Sequence, residues 1–113
     1  MEDCIFCRII RGELPSEKVF ENENVLAFKD IQPQAPVHLL VIPKKHIESL
    51  AALTEDELPL AAELLSTANA LAKEFHLTNG YRVVTNIGGD ARQSVHHLHF
   101  HLLGGEPMDE KMC

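Results

Sequence analysis

Four of the chain's seven histidines fall within six residues, in the run Ser94-Val95-His96-His97-Leu98-His99-Phe100-His101-Leu102-Leu103-Gly104-Gly105. Three of them alternate with apolar residues. In an extended chain successive side chains point to opposite sides, so His97, His99 and His101 share one face while Leu98, Phe100 and Leu102 share the other. The apolar face can bury against a core while the imidazoles point into a site. Neighbouring histidines on one face stand about 7 Å apart and the outer two about 13 Å, too far for one ion on a straight strand. A division of labour among them is expected. Imidazole titrates near neutrality and can serve as nucleophile or as general acid and base. His99, flanked on both sides, is the best-placed nucleophile; it must be neutral, with its other ring nitrogen held. His38, on another strand, is a candidate to orient it.

A second group of residues precedes the histidines. Gly88-Gly89-Asp90-Ala91-Arg92-Gln93-Ser94 is rich in donors. Glycines let backbone amides approach an anion, and Arg92 and Ser94 add side-chain donors, with Asn86 just before. Beside a nucleophile this turn reads as a phosphate cradle. A third group is Cys4-Ile5-Phe6-Cys7, a spacing that suits zinc, a redox pair or two buried structural cysteines. The βαβ setting of a redox pair is missing. Zinc needs two further ligands, and His46 and His97 are the candidates for a closed Cys₂His₂ site. Cys113 is terminal and is given no role.

The elements that must position these groups are legible in outline. Cys4 to Ile10 reads as a short helix closed by Gly12. Lys18–Glu21 and Val25–Phe28 read as a hairpin around Asn22-Glu23-Asn24. His38–Ile42 is an apolar strand ended by Pro43. Thr54 and Glu57 resemble a capping box, but Pro59 moves the expected helix start towards itself, and the helix runs to about Phe75. Its apolar residues cover more than the usual stripe, which implies a second buried surface and hence a homodimer. Tyr81–Asn86 and His96–Leu103 are the last two strands. The expected architecture is α+β: an antiparallel sheet of about five strands, one long helix and a short N-terminal helix, in one domain spanning residues 1–113.

Composition narrows the function. A net charge of −7 over 113 residues argues against a nucleic-acid partner, which needs a basic face. No apolar run is long enough to span a membrane, and Met1-Glu2-Asp3-Cys4 lacks a signal-peptide pattern, so a cytoplasmic protein is expected. Three cysteines do not suit a secreted disulfide framework.

These residues resemble the histidine triad family, in particular its Hint-type branch of nucleotide-binding phosphoramidases. The family motif, His-φ-His-φ-His-φ-φ with φ apolar, is matched by His97-Leu98-His99-Phe100-His101-Leu102-Leu103. Phe28–Ile31, Pro33–His38, Val41–His46 and Gln93–Val95 fit the branch as well, in the right order. The resemblance implies a histidine triad fold whose sheet continues across a homodimer. It implies that His99 attacks the α-phosphorus of a purine nucleoside phosphoramidate or acyl-nucleotide, forming a nucleotidyl-histidine that water hydrolyses to the monophosphate. His101 and His97 would support the phosphate and the reacting ring, and His38 would orient His99. Asn86, Gln93 and Ser94 would contact phosphate or leaving group, with Ser94 as a relay. Asp30 would take the ribose hydroxyls, with Ile31 beside it, and Ile5, Phe6, Ile9, Phe28 and Leu40 would form the base slot. Carried onto this chain, the bacterial members' zinc would be structural and held by Cys4, Cys7, His46 and His97. A dinucleoside polyphosphate hydrolase of the Fhit type and a non-catalytic AMP sensor are the alternatives. Leu103-Gly104-Gly105 and Ser94 favour the Hint-type reading. Arg92 stands where the family usually has glycine, His96 where an aromatic is common, and the tail from Glu106 to Cys113 lacks the branch's tryptophan-and-proline ending.

Overall fold

The computed structural model describes residues 4–111, so Cys113 lies outside the described residues. Helix α1 spans Ile5–Ile10 and strands β1, β2 and β3 span Lys18–Glu21, Val25–Lys29 and Val37–Pro43. Helix α2 covers Leu58–Glu74, and β4 and β5 cover Tyr81–Val84 and Phe100–Gly104. The five strands form one antiparallel sheet in the order β1-β2-β3-β5-β4. This is the expected α+β architecture.

Side-chain alternation gives the sheet two apolar faces. Val25, Ala27, Leu39, Val41, Phe100 and Leu102 pack against Leu64, Ala68, Leu71 and Ala72 of α2. Leu26, Phe28, Leu40 and Ile42 point the other way and pack against Phe6 and Ile9 of α1. Covering both faces explains why β3 is a continuous apolar run rather than an alternating one. His38 and His101 are on the α1 face, next to Leu40 and Leu103 in their strands. The fold therefore puts α1, with Cys7 in it and Cys4 at its N-cap, on the same side as His38 and His101.

Local chemistry sets the boundaries. Asn22 Oδ1 accepts from the amides of Asn24 and Val25 at 2.9 and 2.8 Å, which turns the first hairpin. Glu57 accepts from the Thr54 amide at 2.9 Å, but Glu55–Glu57 form a tighter 3₁₀ turn, and the regular helix begins at Leu58 with Pro59 in its first turn. Two strands are shorter than expected. β4 ends at Val84 instead of Asn86, and β5 begins at Phe100 instead of His96. The cause is loss of partners: β3 stops at Pro43 and pairs no further along β5 than Val41 with Phe100. Ahead of that point the chain is held by other bonds, from the Leu98 amide to the Ile47 carbonyl (2.6 Å) and from Thr85 Oγ1 to the His99 carbonyl (2.8 Å). Alternation survives without the ladder, because Leu98, Phe100 and Leu102 all enter the α2 core.

Candidate functional site

The three alternating histidines go to separate tasks. His97 is fully buried beside α1. Its Nε2 lies 2.8 Å from the Pro43 carbonyl, which can only accept, so Nε2 carries the proton and Nδ1 presents a lone pair. That lone pair is 3.4 Å from Cys4 Sγ and 3.6 Å from Cys7 Sγ, and Cys7 Sγ is 3.2 Å from His46 Nδ1. All four ligand atoms lie within 4.8 Å of one another. Tetrahedral zinc, with bonds of about 2.0–2.3 Å, separates its ligands by roughly 3.3–3.8 Å, so the donor set and the spacing fit such an ion. Burial pushes the Cys7 thiol above its usual range, and its neighbour Cys4 pushes the same way, which a bound cation would reverse. Burial brings His97 down to about 4, and a neutral imidazole is what an ion requires. Phe6 stands on the other side of the His97 ring, its centroid 5.8 Å away.

His99 is buried and borders a cavity of about 520 Å³, a volume suited to a small-molecule ligand. Its Nδ1 donates to the His97 carbonyl at 2.7 Å, which leaves Nε2 unprotonated. Burial lowers its pKa, holding the ring neutral near pH 7. Ile5, Phe6, Ile9, Phe28 and Leu40 form the apolar wall of the cavity. Asp30, Ile31, His38, Ser94 and His101 line it too. Ile31 is 92% exposed, so it sits at the mouth rather than in the slot. Leu14, Pro15, Ser16, Lys29, Gln32, Gln34 and Val95 also line it and were not anticipated. Only Leu14 and Val95, which pack on the apolar cluster of α1, carried even a hydropathy signal.

His38 does not orient His99. Its Nε2 lies 2.9 Å from His101 Nδ1, and the Gln34 amide donates to its Nδ1 at 3.0 Å. With Nδ1 accepting, the proton is on Nε2, directed at His101 and towards Asp30 Oδ2 at 3.4 Å. His38, His101 and Asp30 thus form a second cluster of possible ligands. A ring that carries a proton at that position offers no lone pair, so this cluster does not fit a metal. Burial lowers the pKa of both rings, His101 to about 4. The rings of His99 and His101 are neighbours, with centroids 5.0 Å apart.

The glycine turn is built as a frame. Gly88 has φ 81°, open to glycine at little cost, and Arg92 has φ 62°, the conformation a glycine would take there more easily. Arg92 is exposed and does not line the cavity. Gln93 is buried, and its side chain is fully used in the loop. It accepts from the Gly88 amide at 2.9 Å and donates to the carbonyls of Glu48 and Val95 at 2.7 and 3.1 Å. In this arrangement Gln93 braces the loop, and it does not line the His99 cavity. Asn86 lines a separate depression of about 510 Å³ that shares Gln34, His38 and His101 with the first. Ser94 is exposed at the rim of the His99 cavity.

A family model described as "Scavenger mRNA decapping enzyme C-term binding" matches residues 3–112. A HIT-like protein of Chlamydia muridarum is 54% identical over 101 residues, covering 89% of this chain and 80% of the relative. A HIT family hydrolase of Clostridium thermocellum superposes with a TM-score of 0.96 at 45% identity, covering 100% of this chain and 99% of that one. A histidine triad nucleotide-binding protein of Candida albicans superposes with a TM-score of 0.81 at 38% identity, covering 95% and 85%.

Proposed function

The chain belongs to the histidine triad family, and from that premise we propose that it is a nucleotide-binding hydrolase of the Hint type, cleaving purine nucleoside phosphoramidates or acyl-nucleotides. The observation that carries this reading is the His99 ring: buried, neutral, its Nδ1 proton held by the His97 carbonyl, its Nε2 bare beside a cavity with an apolar wall. Relatives described as a hydrolase and as a nucleotide-binding protein support the reaction class and the ligand.

In the proposed reaction the purine enters the slot between α1 and β2, against Phe6, Ile9, Phe28 and Leu40, and Asp30 accepts from the ribose hydroxyls. His99 Nε2 attacks the α-phosphorus. A phosphorus–nitrogen bond forms to the ring as the bond to the leaving amine breaks, and the amine departs with a proton relayed by Ser94. Water then displaces the ring, giving the nucleoside monophosphate and neutral His99. His101 stabilises the charge that develops on the phosphoryl oxygens. Cys4, Cys7, His46 and His97 would hold a zinc ion whose part is structural, tying α1 to the sheet. Two copies join along β4, the edge of the sheet, where Tyr81 and Val83 are exposed. Among the described residues no helix is long and apolar enough to cross a membrane, in keeping with a cytoplasmic enzyme.

The test is hydrolysis of adenosine 5′-phosphoramidate by wild type and His99→Ala, with AMP release followed directly. Turnover by the wild type that collapses in the variant is expected. AMP binding without turnover, in folded wild type supplied with zinc, would overturn the hydrolase reading in favour of a nucleotide sensor. Faster turnover of a diadenosine polyphosphate would move the substrate class to Fhit-type compounds.

A further inference from the structure

His99 and His101 are adjacent imidazoles that must do opposite things in the proposed reaction, which this inference takes as its basis. One presents a lone pair to phosphorus, and the other presents a proton to oxygen. Different backbone groups impose the difference. At His99 a carbonyl, that of His97, takes the Nδ1 proton and leaves Nε2 bare. At His101 the control starts one residue further away, at a backbone amide.

We infer that the backbone amide of Gln34, acting through His38, fixes His101 as a hydrogen-bond donor at Nε2, so that His38 is a positioning residue and the turn from Asp30 to His38 is the element that sets proton placement in the site. Gln34, His38 and His101 form a chain of donors. An amide N–H cannot accept, so the Gln34 amide at 3.0 Å requires a lone pair on His38 Nδ1. The His38 proton is then on Nε2. Both groups that face Nε2 agree with this: His101 Nδ1 at 2.9 Å, and the Asp30 carboxylate at 3.4 Å, which only accepts. His101 Nδ1 receives the proton, and the single proton of a neutral His101 ring therefore resides on Nε2. Register does not pair the two histidines directly, since His38 is opposite Leu103 and His101 is opposite Leu40. Their rings meet diagonally across the two strands.

The turn is built to keep the amide where it is. Pro33 and Pro36 bracket Gln34 and restrict φ at both positions. The Asp30 amide donates to the His38 carbonyl at 3.0 Å and closes the base of the turn. Asp30 Oδ1 accepts from the Gln32 amide at 2.8 Å, and Gln34 Nε2 donates to the Gln32 carbonyl at 3.1 Å. Asp30 thus holds the turn and faces the His38 proton at once. With the opposite tautomer, His101 would turn a lone pair towards the phosphoryl oxygens and repel them.

Nitrogen-15 histidine spectra of the wild-type protein read the tautomers directly. A lone-pair-type Nδ1 with a protonated Nε2 is expected for both His38 and His101, and the reverse for His99. A protonated Nδ1 on His101 would overturn the inference. To separate the amide from the acceptors at Nε2, the spectrum of an Asp30→Asn, His101→Phe double variant is taken, in which the asparagine keeps an oxygen for the Gln32 amide. His38 should keep its tautomer there, and a switch would remove Gln34 as the cause. In His38→Leu, His101 should become a tautomer mixture, and kcat for adenosine 5′-phosphoramidate should fall about tenfold, the worth of one hydrogen bond, with KM changed far less. An unaltered His101 spectrum in that variant would sink the positioning role. If the hydrolase reading itself is wrong, the wild-type tautomers still appear as described, but turnover is absent.

Discussion

The ring of Phe6 stands edge-on to the ring of His99, with centroids 5.1 Å apart and planes at 89°. The same ring meets Phe28 at 5.6 Å and His97 at 5.8 Å. Phe6 sits between Cys4 and Cys7 in sequence, so one short helix and its N-cap carry two candidate metal ligands and a wall of the His99 cavity. A helix of six residues has little stability of its own, and its position depends on what grips it. Phe6→Ala removes the grip from the cavity side. It should cost about 3 kcal/mol in a denaturant titration, as expected for a buried aromatic. It should also raise KM for the phosphoramidate about tenfold while leaving the His99 hydrogen bond in place. A KM equal to wild type would remove Phe6 from the base slot.

A zinc ion on Cys4, Cys7, His46 and His97 would grip the same helix from its cysteine side. One zinc per chain is expected by elemental analysis of purified protein, lost in His46→Ala and in Cys7→Ser. Since metal binding contributes directly to folding, chelation should lower the melting temperature by well over ten degrees and raise KM more than it lowers kcat. His99 is not a ligand, so a strongly zinc-dependent kcat at saturating substrate would contradict a structural ion. Metal-free protein with an unchanged melting temperature would reduce the cluster to four packed side chains.

Much of this arrangement could be read from the chain. Alternation placed Leu98, Phe100 and Leu102 in the core and the three histidines opposite them, because burial acts on side-chain direction even where the strand ladder has ended. The Cys4, Cys7, His46 and His97 group was legible because residue type restricts metal ligands so strongly. The partner of His38 was not. It depends on the register of β3 against β5 and on a diagonal contact, and neither leaves a mark in composition. The loop bonds of Gln93 were not legible for a related reason. A glutamine beside a glycine turn has the donors to meet a phosphate, but whether they are already engaged is decided by Glu48 and Val95, which fold in from outside the turn. The length of the last strand was overestimated because its end is set by Pro43 on another strand.

Activity should persist into mild acid. His99 is held below the ordinary imidazole value by burial, so its nucleophilic form remains present as pH falls through 6.5. The acid limb of kcat/KM is therefore expected at a lower pH than an ordinary imidazole would set. Stability should follow the same sign. His101 has a folded value of about 4 against 6.5 in the unfolded chain, so the unfolded state binds more protons between those values. The contribution is fully present above pH 6.5 and is lost as pH falls towards 4. Denaturant midpoints measured from pH 7 to 4 should decline in wild type and decline less steeply in His101→Asn. Equal slopes would show that His101 is not held neutral by the fold.

Gln93 closes the loop before the histidines with three hydrogen bonds from one buried amide. Gln93→Leu would keep the volume and strand the Gly88 amide and the carbonyls of Glu48 and Val95. Leaving such groups without partners costs about 1–3 kcal/mol each, partly relieved where water can enter. A net loss of about 2–3 kcal/mol is therefore expected, above that of a surface substitution. The loop also fixes where Ser94 meets the cavity rim, so kcat should fall with the phosphoramidate while AMP affinity holds. Gln93→Glu separates bracing from phosphate contact. Its carboxylate can still accept from Gly88 but cannot donate to the two carbonyls, so stability should drop almost as far as in Gln93→Leu. If Gln93 instead met phosphate directly, Gln93→Glu would retain stability and lose AMP affinity by charge repulsion, and calorimetry with AMP beside a melting curve distinguishes the two.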